Sequence, residues 1–188
     1  MLLSSLFPRV SMKTLLIIDM QNAWLADPAS PCTDTDGVVQ RINHAARHIR
    51  AQGGKVIFVQ HANADVPIGS AAWQVIPALE QAATDSTVHK LAADAFAATD
   101  LAAQLAASAS STLYVSGFAS EFCVDSAVRA AASRGLQVVA LSDAHTTADR
   151  PHMDAPAIIA HHNWVWAGLP PPAGSTLAVR TTAQAFPD

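Results

Sequence analysis

The chain has 188 residues, 51% of them hydrophobic and 14% charged, with a formal net charge of −4. That length is enough to bury a core without disulfides or structural metal, and the composition excludes a disordered or linker-dominated chain. The negative balance and the lack of a basic cluster argue against a nucleic-acid partner, and no apolar run approaches the roughly 18 residues of a membrane-crossing helix.

The opening MLLSSLFPRVS has an apolar start but neither the charged leader nor the long apolar segment of a signal peptide. Residues 1–12 read as an N-terminal extension, with Met12 as an alternative start, and residues 13–188 as one domain. Cys32 and Cys123 are too few for a disulfide framework or a four-thiolate zinc site. The expectation is a cytoplasmic protein with unbridged thiols.

TLLIID (14–19) is a continuous apolar run ending in a carboxylate, as in a strand buried on both faces. The next segment, 37–54, places Val38, Ile42, Ala45 and Ile49 at helical spacing and closes on Gly53. KVIFVQH (55–61) predicts a second buried strand and STVHK (86–90) a third. TDLAAQLAAS (99–108) predicts a helix capped by Thr99 or Asp100. STLYVSG (111–117), a helix from Cys123 to Arg134 and LQVVALSDA (136–144) form another strand–helix–strand unit. A helix near 154–166 and a strand near 175–181 complete the pattern. This alternation predicts a single-domain, doubly wound, Rossmann-like α/β fold, its sheet mainly parallel and covered by helices on both faces.

In such sheets ligands collect at the carboxyl ends of the strands, where strand order reverses. Asp19 ends the first strand, His61 the second, Lys90 the third, Gly117 the fourth and Asp143 the fifth, with Cys123 opening the helix after the fourth. A carboxylate, an ammonium and a thiol thus converge on one edge. Asp19 is placed to take the thiol proton, Lys90 to hold Asp19 ionised and favour the thiolate, and backbone amides around Cys123 to stabilise an oxyanion. These parts suit acyl transfer through a thioester. Taken singly, Cys123 also reads as a buried structural thiol, Asp19 as a turn cap and Lys90 as a surface lysine. Their joint position favours chemistry.

LLIIDMQNAWL (15–25), VIFVQH (56–61), GSAAW (69–73), VHKLAADAF (88–96) and GFASEFCVDSAVRAAASRGLQVVALSDAHTT (117–147) together resemble the isochorismatase-like cysteine hydrolase family. The resemblance runs from about residue 13 to residue 167. It implies that Asp19 is the acid/base, Lys90 the lysine and Cys123 the nucleophile of a catalytic triad. It further implies a cis peptide at Phe118–Ala119 and an oxyanion hole made by the amides of Ala119 and Cys123. Trp24 matches a position where the family often places an aromatic facing the substrate. Trp73, in the loop between the second and third strands, and Phe118, before Cys123, are further candidates for substrate binding. All three aromatics also read as core packing.

The sequence departs from the metal-binding members of that family. Nicotinamidases hold a metal through an Asp-x-His pair after the second strand, whereas QHANADVP offers only His61 and Asp65. The expectation is no metal and no cofactor, with His61 as a pocket wall or hydrogen-bonding group. His44 and His48, four apart, read as a solvated helix face, and the adjacent His161 and His162 do not form a preformed chelate. AHHNWVW (160–166) resembles a stretch common in the family, with no chemical role evident from its residues.

The expected function is metal-independent hydrolysis of a small carboxamide or related C–N bond, with a small-molecule substrate and no nucleic-acid or membrane partner. Vinyl ether hydrolysis of the isochorismatase type is the alternative, but loop 62–80 has no lysine or arginine to receive a dianion. A non-catalytic small-molecule-binding protein on the same scaffold is a third reading. The resemblance also implies a homo-oligomer, a dimer or tetramer.

Overall fold

MKTLLII forms β1 (Met12–Ile18), and its alternating side chains enter two separate cores. Leu16 and Ile18 face one, Leu15 and Ile17 the other, which is why the run is apolar without a polar alternation. The structure, a computed structural model, describes residues 12–26 and 28–187. Apart from Met12, the expected N-terminal extension lies outside the described residues.

The remaining strands are β2 (Lys55–His61), β3 (Ser86–Lys90), β4 (Ser110–Phe118), β5 (Gln137–Thr146) and β6 (Thr176–Arg180). They join β1 in one six-stranded sheet of order β3-β2-β1-β4-β5-β6, and every pairing is parallel. Strand order reverses between β1 and β4, so the crevice at their carboxyl ends is the natural ligand position.

The helices are α1 (Asn22–Leu25), α2 (Thr35–Ala51), α3 (Leu101–Ala107), α4 (Asp125–Ser133), α5 (Ala155–Gly168) and α6 (Thr182–Ala185). Val38, Ile42, Ala45 and Ile49 of α2 pack on Leu15, Ile17, Val56 and Phe58, and Phe186 beyond α6 closes that core. On the opposite face, α3 contributes Leu101 and Leu105, α4 Ala127, Val128 and Ala131, and α5 Trp166. Each large aliphatic side chain buried this way contributes about 1.5–3 kcal/mol. Trp164, two residues before the buried Trp166, is 76% exposed.

Several details differ from the sequence reading. The helix expected from Cys123 starts earlier, as a π-helical turn over Ser120–Val124 in which Val124 N–H reaches back to Ala119 O (3.2 Å). Asp143 lies inside β5, not at its end, because the strand bulges between Ala140 and His145 and then re-pairs with Gly117 and Phe118. At the start of α3, Thr99 Oγ1 accepts from Leu101 N–H (3.3 Å), while the Asp100 carboxylate turns to the Gln104 amide. The short α1 and α6 are too brief for periodicity to announce. His44 and His48 are not a purely solvated face: His44 Nε2 lies 3.0 Å from Phe186 O, and the His48 ring packs 5.3 Å from that of Phe186.

Neither cysteine is in a disulfide. Among the described residues, no helix is long and apolar enough to cross a membrane.

Candidate active site

Asp19 follows β1 directly. Its backbone is left-handed (φ 50°), a conformation that aspartate tolerates better than most residues. Its N–H donates to Val59 O (2.8 Å), and Gln21 N–H donates back to Asp19 O (2.8 Å), so the strand turns sharply here. Gly117 makes room for that turn on β4: at φ 120°, a Cβ there would lie 2.1 Å from Ile18 O.

Lys90, the last residue of β3, reaches across under β2 to Asp19. Its Nζ donates to Asp19 Oδ2 (2.9 Å) and to Cys123 Sγ (3.1 Å), with His61 Nδ1 and Ala92 O each at 3.2 Å. Three ammonium hydrogens therefore serve four acceptors, and the thiol contact is one of them. Lys90 is 1% exposed and Asp19 3%. Such burial is tolerable for a charge only when it is paired.

The second carboxylate oxygen, Asp19 Oδ1, is buried and has no fixed hydrogen-bond partner among the described residues. The Cys123 thiol beside it is the group that can supply one. Burial pushes the Asp19 carboxyl above its ordinary range, against the opposing pull of Lys90. Burial pushes the Cys123 thiol up to about 12, and the Asp19 charge adds to this while Lys90 opposes it. Burial and the Asp19 charge thus favour the thiol over a preformed thiolate, and burial makes the neighbouring carboxylate more receptive to a proton. Lys90 pulls the thiol toward thiolate, in the direction expected of it, but burial and the Asp19 charge act more strongly the other way.

His61, at the end of β2, is held neutral by burial first and by the Lys90 charge second. The Lys90 ammonium, which can only donate, lies 3.2 Å from Nδ1, and a further bond between the ring and the Ala92 backbone opposes the downward shift. Gln21 braces this corner: its amide donates to His61 O (3.0 Å) and Trp73 O (2.8 Å), and its carbonyl accepts from His61 N–H (2.8 Å).

A cavity of about 240 Å³ opens over these groups, lined by Asp19, Trp24, His61, Ala93, Phe118, Ala119, Phe122 and Cys123. The Trp24 and Phe118 rings are nearly parallel, with centroids 6.5 Å apart. The Phe118–Ala119 peptide is cis, and the turn that follows carries Cys123. Trp73 is not on the cavity wall. It packs with Ala62 and Val66, and its ring meets the ring of His89 edge-on at 4.8 Å. Ala93 and Phe122 were not singled out from the sequence, although each stands within three residues of Lys90 or Cys123.

A metal centre does not fit the residues present. His61 turns Nδ1 toward Lys90, Asp65 is exposed, and among the described residues no three His, Cys, Asp or Glu side chains gather as a metal site.

A sequence model of the Isochorismatase domain matches residues 13–163. An isochorismatase family protein of known structure is 31% identical, with 90% of this chain and 98% of that one covered and a TM-score of 0.82. An isochorismatase from Pseudomonas putida KT2440 is 26% identical over 95% and 93% of the two chains, with a TM-score of 0.80. A cysteine hydrolase from Pseudomonas syringae pv. phaseolicola 1448A is 24% identical, covers 93% and 90%, and shares the fold at a TM-score of 0.84. No curated protein matches the chain.

Proposed function

This chain belongs to the isochorismatase domain family of hydrolases, and from that premise we propose that it cleaves a small uncharged carboxamide, or a related C–N bond, through a thioester on Cys123 without a metal. The observation that carries this reading is the buried Lys90 ammonium, bonded at once to two groups that line the cavity, Asp19 (2.9 Å) and the Cys123 sulfur (3.1 Å).

The thiol proton passes to Asp19 as sulfur attacks the carbonyl carbon, and the carbonyl electron pair becomes an oxyanion. The amides of Ala119 and Cys123, on the turn at the cavity wall, receive that oxyanion. Collapse of the tetrahedral adduct breaks the C–N bond, and the departing amine takes the proton from Asp19. Water then gives a proton to Asp19 as its oxygen attacks the thioester carbon. The C–S bond breaks, the acid leaves, and the sulfur recovers its proton from Asp19. Lys90 remains protonated and offsets the charge exchanged between carboxylate and sulfur. Because the transfer is internal, a high thiol pKa in the resting state does not block it.

Vinyl ether cleavage of a dianion needs cationic groups facing the substrate. Among the described residues the cavity lining includes no arginine or lysine, the Lys90 ammonium being covered by Asp19 and Cys123, and burial holds His61 toward its neutral form. That lining favours an uncharged substrate. Ammonia release across a carboxamide panel tests the proposal: wild type is expected to turn over at least one member, and Cys123→Ala none. Release undiminished in Cys123→Ala, or silence from a wild type whose Cys123 is readily alkylated, would sink it.

A further inference from the structure

The stretch AHHNWVW, without evident chemistry in the sequence, lies on α5 behind the turn that carries Cys123. Two hydrogen-bonded lines run from it to that turn. In the first, Asn163 Nδ2 donates to Ser142 O (2.9 Å), which leaves Asn163 Oδ1 facing His145 Nε2 (3.1 Å). His145 Nδ1 in turn lies 2.7 Å from Ser120 Oγ, on the residue that opens the π-helical turn. In the second, Trp166 Nε1 donates to Asp125 Oδ1 (2.7 Å), at the first residue of α4. The Trp166 ring also meets the His145 ring at 5.0 Å.

The polarity of the first line is determined. Asn163 Oδ1 only accepts, so His145 carries its proton on Nε2, and Nδ1 accepts from the Ser120 hydroxyl. Ser120 is 0% exposed, so it has no solvent to replace a lost partner, while His145, 2% exposed, also borders with Asn163 a separate cavity of about 450 Å³. Burial pushes His145 down to about 4, which keeps it in the neutral form that this chain of donors requires. None of these groups touches the cavity over Cys123, and the reaction above uses none of them.

We propose that His145 is a positioning residue for the nucleophile turn: oriented by Asn163, it holds Ser120 and thereby aligns the Ala119 and Cys123 amides with the oxyanion. This rests on the thioester reading. Its function is geometric, since oxyanion donors must sit within hydrogen-bond distance of where charge develops.

Two probes of Cys123 separate alignment from simple reactivity. Acetylation by p-nitrophenyl acetate passes through an oxyanion as p-nitrophenolate leaves, whereas alkylation by iodoacetamide displaces iodide and needs no oxyanion hole. Both are read at Cys123 by peptide mass spectrometry. An asparagine at position 145 can offer oxygen near the place of Nδ1 and keep the Ser120 bond. A glutamine instead reaches the place of Nε2 and loses it. His145→Gln is expected to slow acetylation at least about tenfold while alkylation changes less than about threefold, and His145→Asn to restore acetylation to within about threefold of wild type. If His145→Gln does not fold, Ser120→Ala, which removes the hydroxyl donor alone, should show the same split. Wild-type acetylation in His145→Gln or Ser120→Ala, a parallel fall of both probes, or an equal loss in His145→Asn would overturn the proposal. A wild-type Cys123 that alkylates but never acetylates would instead sink the thioester reading beneath it, before any variant is made.

Discussion

Two ion pairs in this molecule share carboxylate and cation but differ in what they leave unfinished. Arg50 of α2 meets Asp85 with Nε on Oδ1 (3.0 Å) and Nη2 on Oδ2 (2.6 Å), and Ala82 N–H adds a third bond to that carboxylate (2.8 Å). Nη2 also donates to Glu80 O (2.8 Å), so this pair ties the loop before β3 onto α2. Lys90 and Asp19 are more deeply buried, yet Asp19 Oδ1 has no fixed partner among the described residues and Lys90 spends a hydrogen on a sulfur. A structural pair is saturated because each unmade bond would cost stability. In the proposed reaction the second pair needs one acceptor left open for the proton that Asp19 would carry.

Removing the cation from each pair should expose this contrast, and Lys90→Met should do most. It strands the Asp19 carboxylate in a site 3% exposed, so unfolding in urea should show a loss of about 3–5 kcal/mol, with hydrolysis abolished. Adding Asp19→Asn removes the stranded charge. The double variant should regain most of the stability while remaining inactive. Stability that stays low in the double variant would show that packing around Lys90, rather than its charge, was lost.

Arg50→Met comes next. The pair's side chains are 18% and 6% exposed, and the arginine leaves a hydrogen-bonded carboxylate behind. A loss of about 1–3 kcal/mol in the same urea titration is expected, with turnover per folded molecule unchanged. A drop in turnover comparable to that of Lys90→Met would mean that the loop before β3 helps shape the cavity.

These two pairs were unequally legible in the sequence. Asp19, Lys90 and Cys123 sit at strand ends or on the turn after one, and a parallel sheet brings strand ends together whatever its loops do. The alternation of Leu15 to Ile18 between two cores was legible for the same reason, since a strand's period is fixed. Asp85 and Arg50 meet through a loop whose path no periodicity records. Trp73 shares its loop with the site's neighbours, yet that loop turns its ring toward His89. Ser120, His145 and Asn163 were hidden more thoroughly. Their contacts depend on the bulge in β5, which re-pairs His145 with Gly117, and a bulge leaves no periodic trace. The capping box at Thr181 and Gln184 was readable by spacing, but it starts a helix only four residues long.

The vacant acceptor also sets a pH response. With the Cys123 thiol pushed up to about 12, its thiolate fraction in the folded protein should climb about tenfold per pH unit from 7 to 9. Iodoacetamide alkylation read at Cys123 should follow that slope without a plateau. Because Lys90 opposes the upward push, Lys90→Met should slow alkylation at every pH in the range, provided the variant is still folded. A plateau below pH 8 would mean that Lys90 outweighs burial and the Asp19 charge, and that the resting site holds a thiolate after all.

The smallest effect belongs to a third pair. Arg47 lies one helical turn before Arg50 and meets Glu80 at 2.5 Å, but its side chain is 56% exposed and that of Glu80 47%. Water competes for both charges, and holding two long side chains in register costs entropy. Arg47→Ala should therefore change stability by no more than about 1 kcal/mol, and salt should reduce even that. The backbone position of Glu80 does not depend on this bond, because Asn43 Oδ1 accepts from its N–H (2.9 Å) and Arg50 donates to its carbonyl. A loss as large as that of Arg50→Met would show that anchoring of the loop is shared between the two arginines. The saturation argument would then apply to the loop as a whole rather than to the Arg50–Asp85 pair.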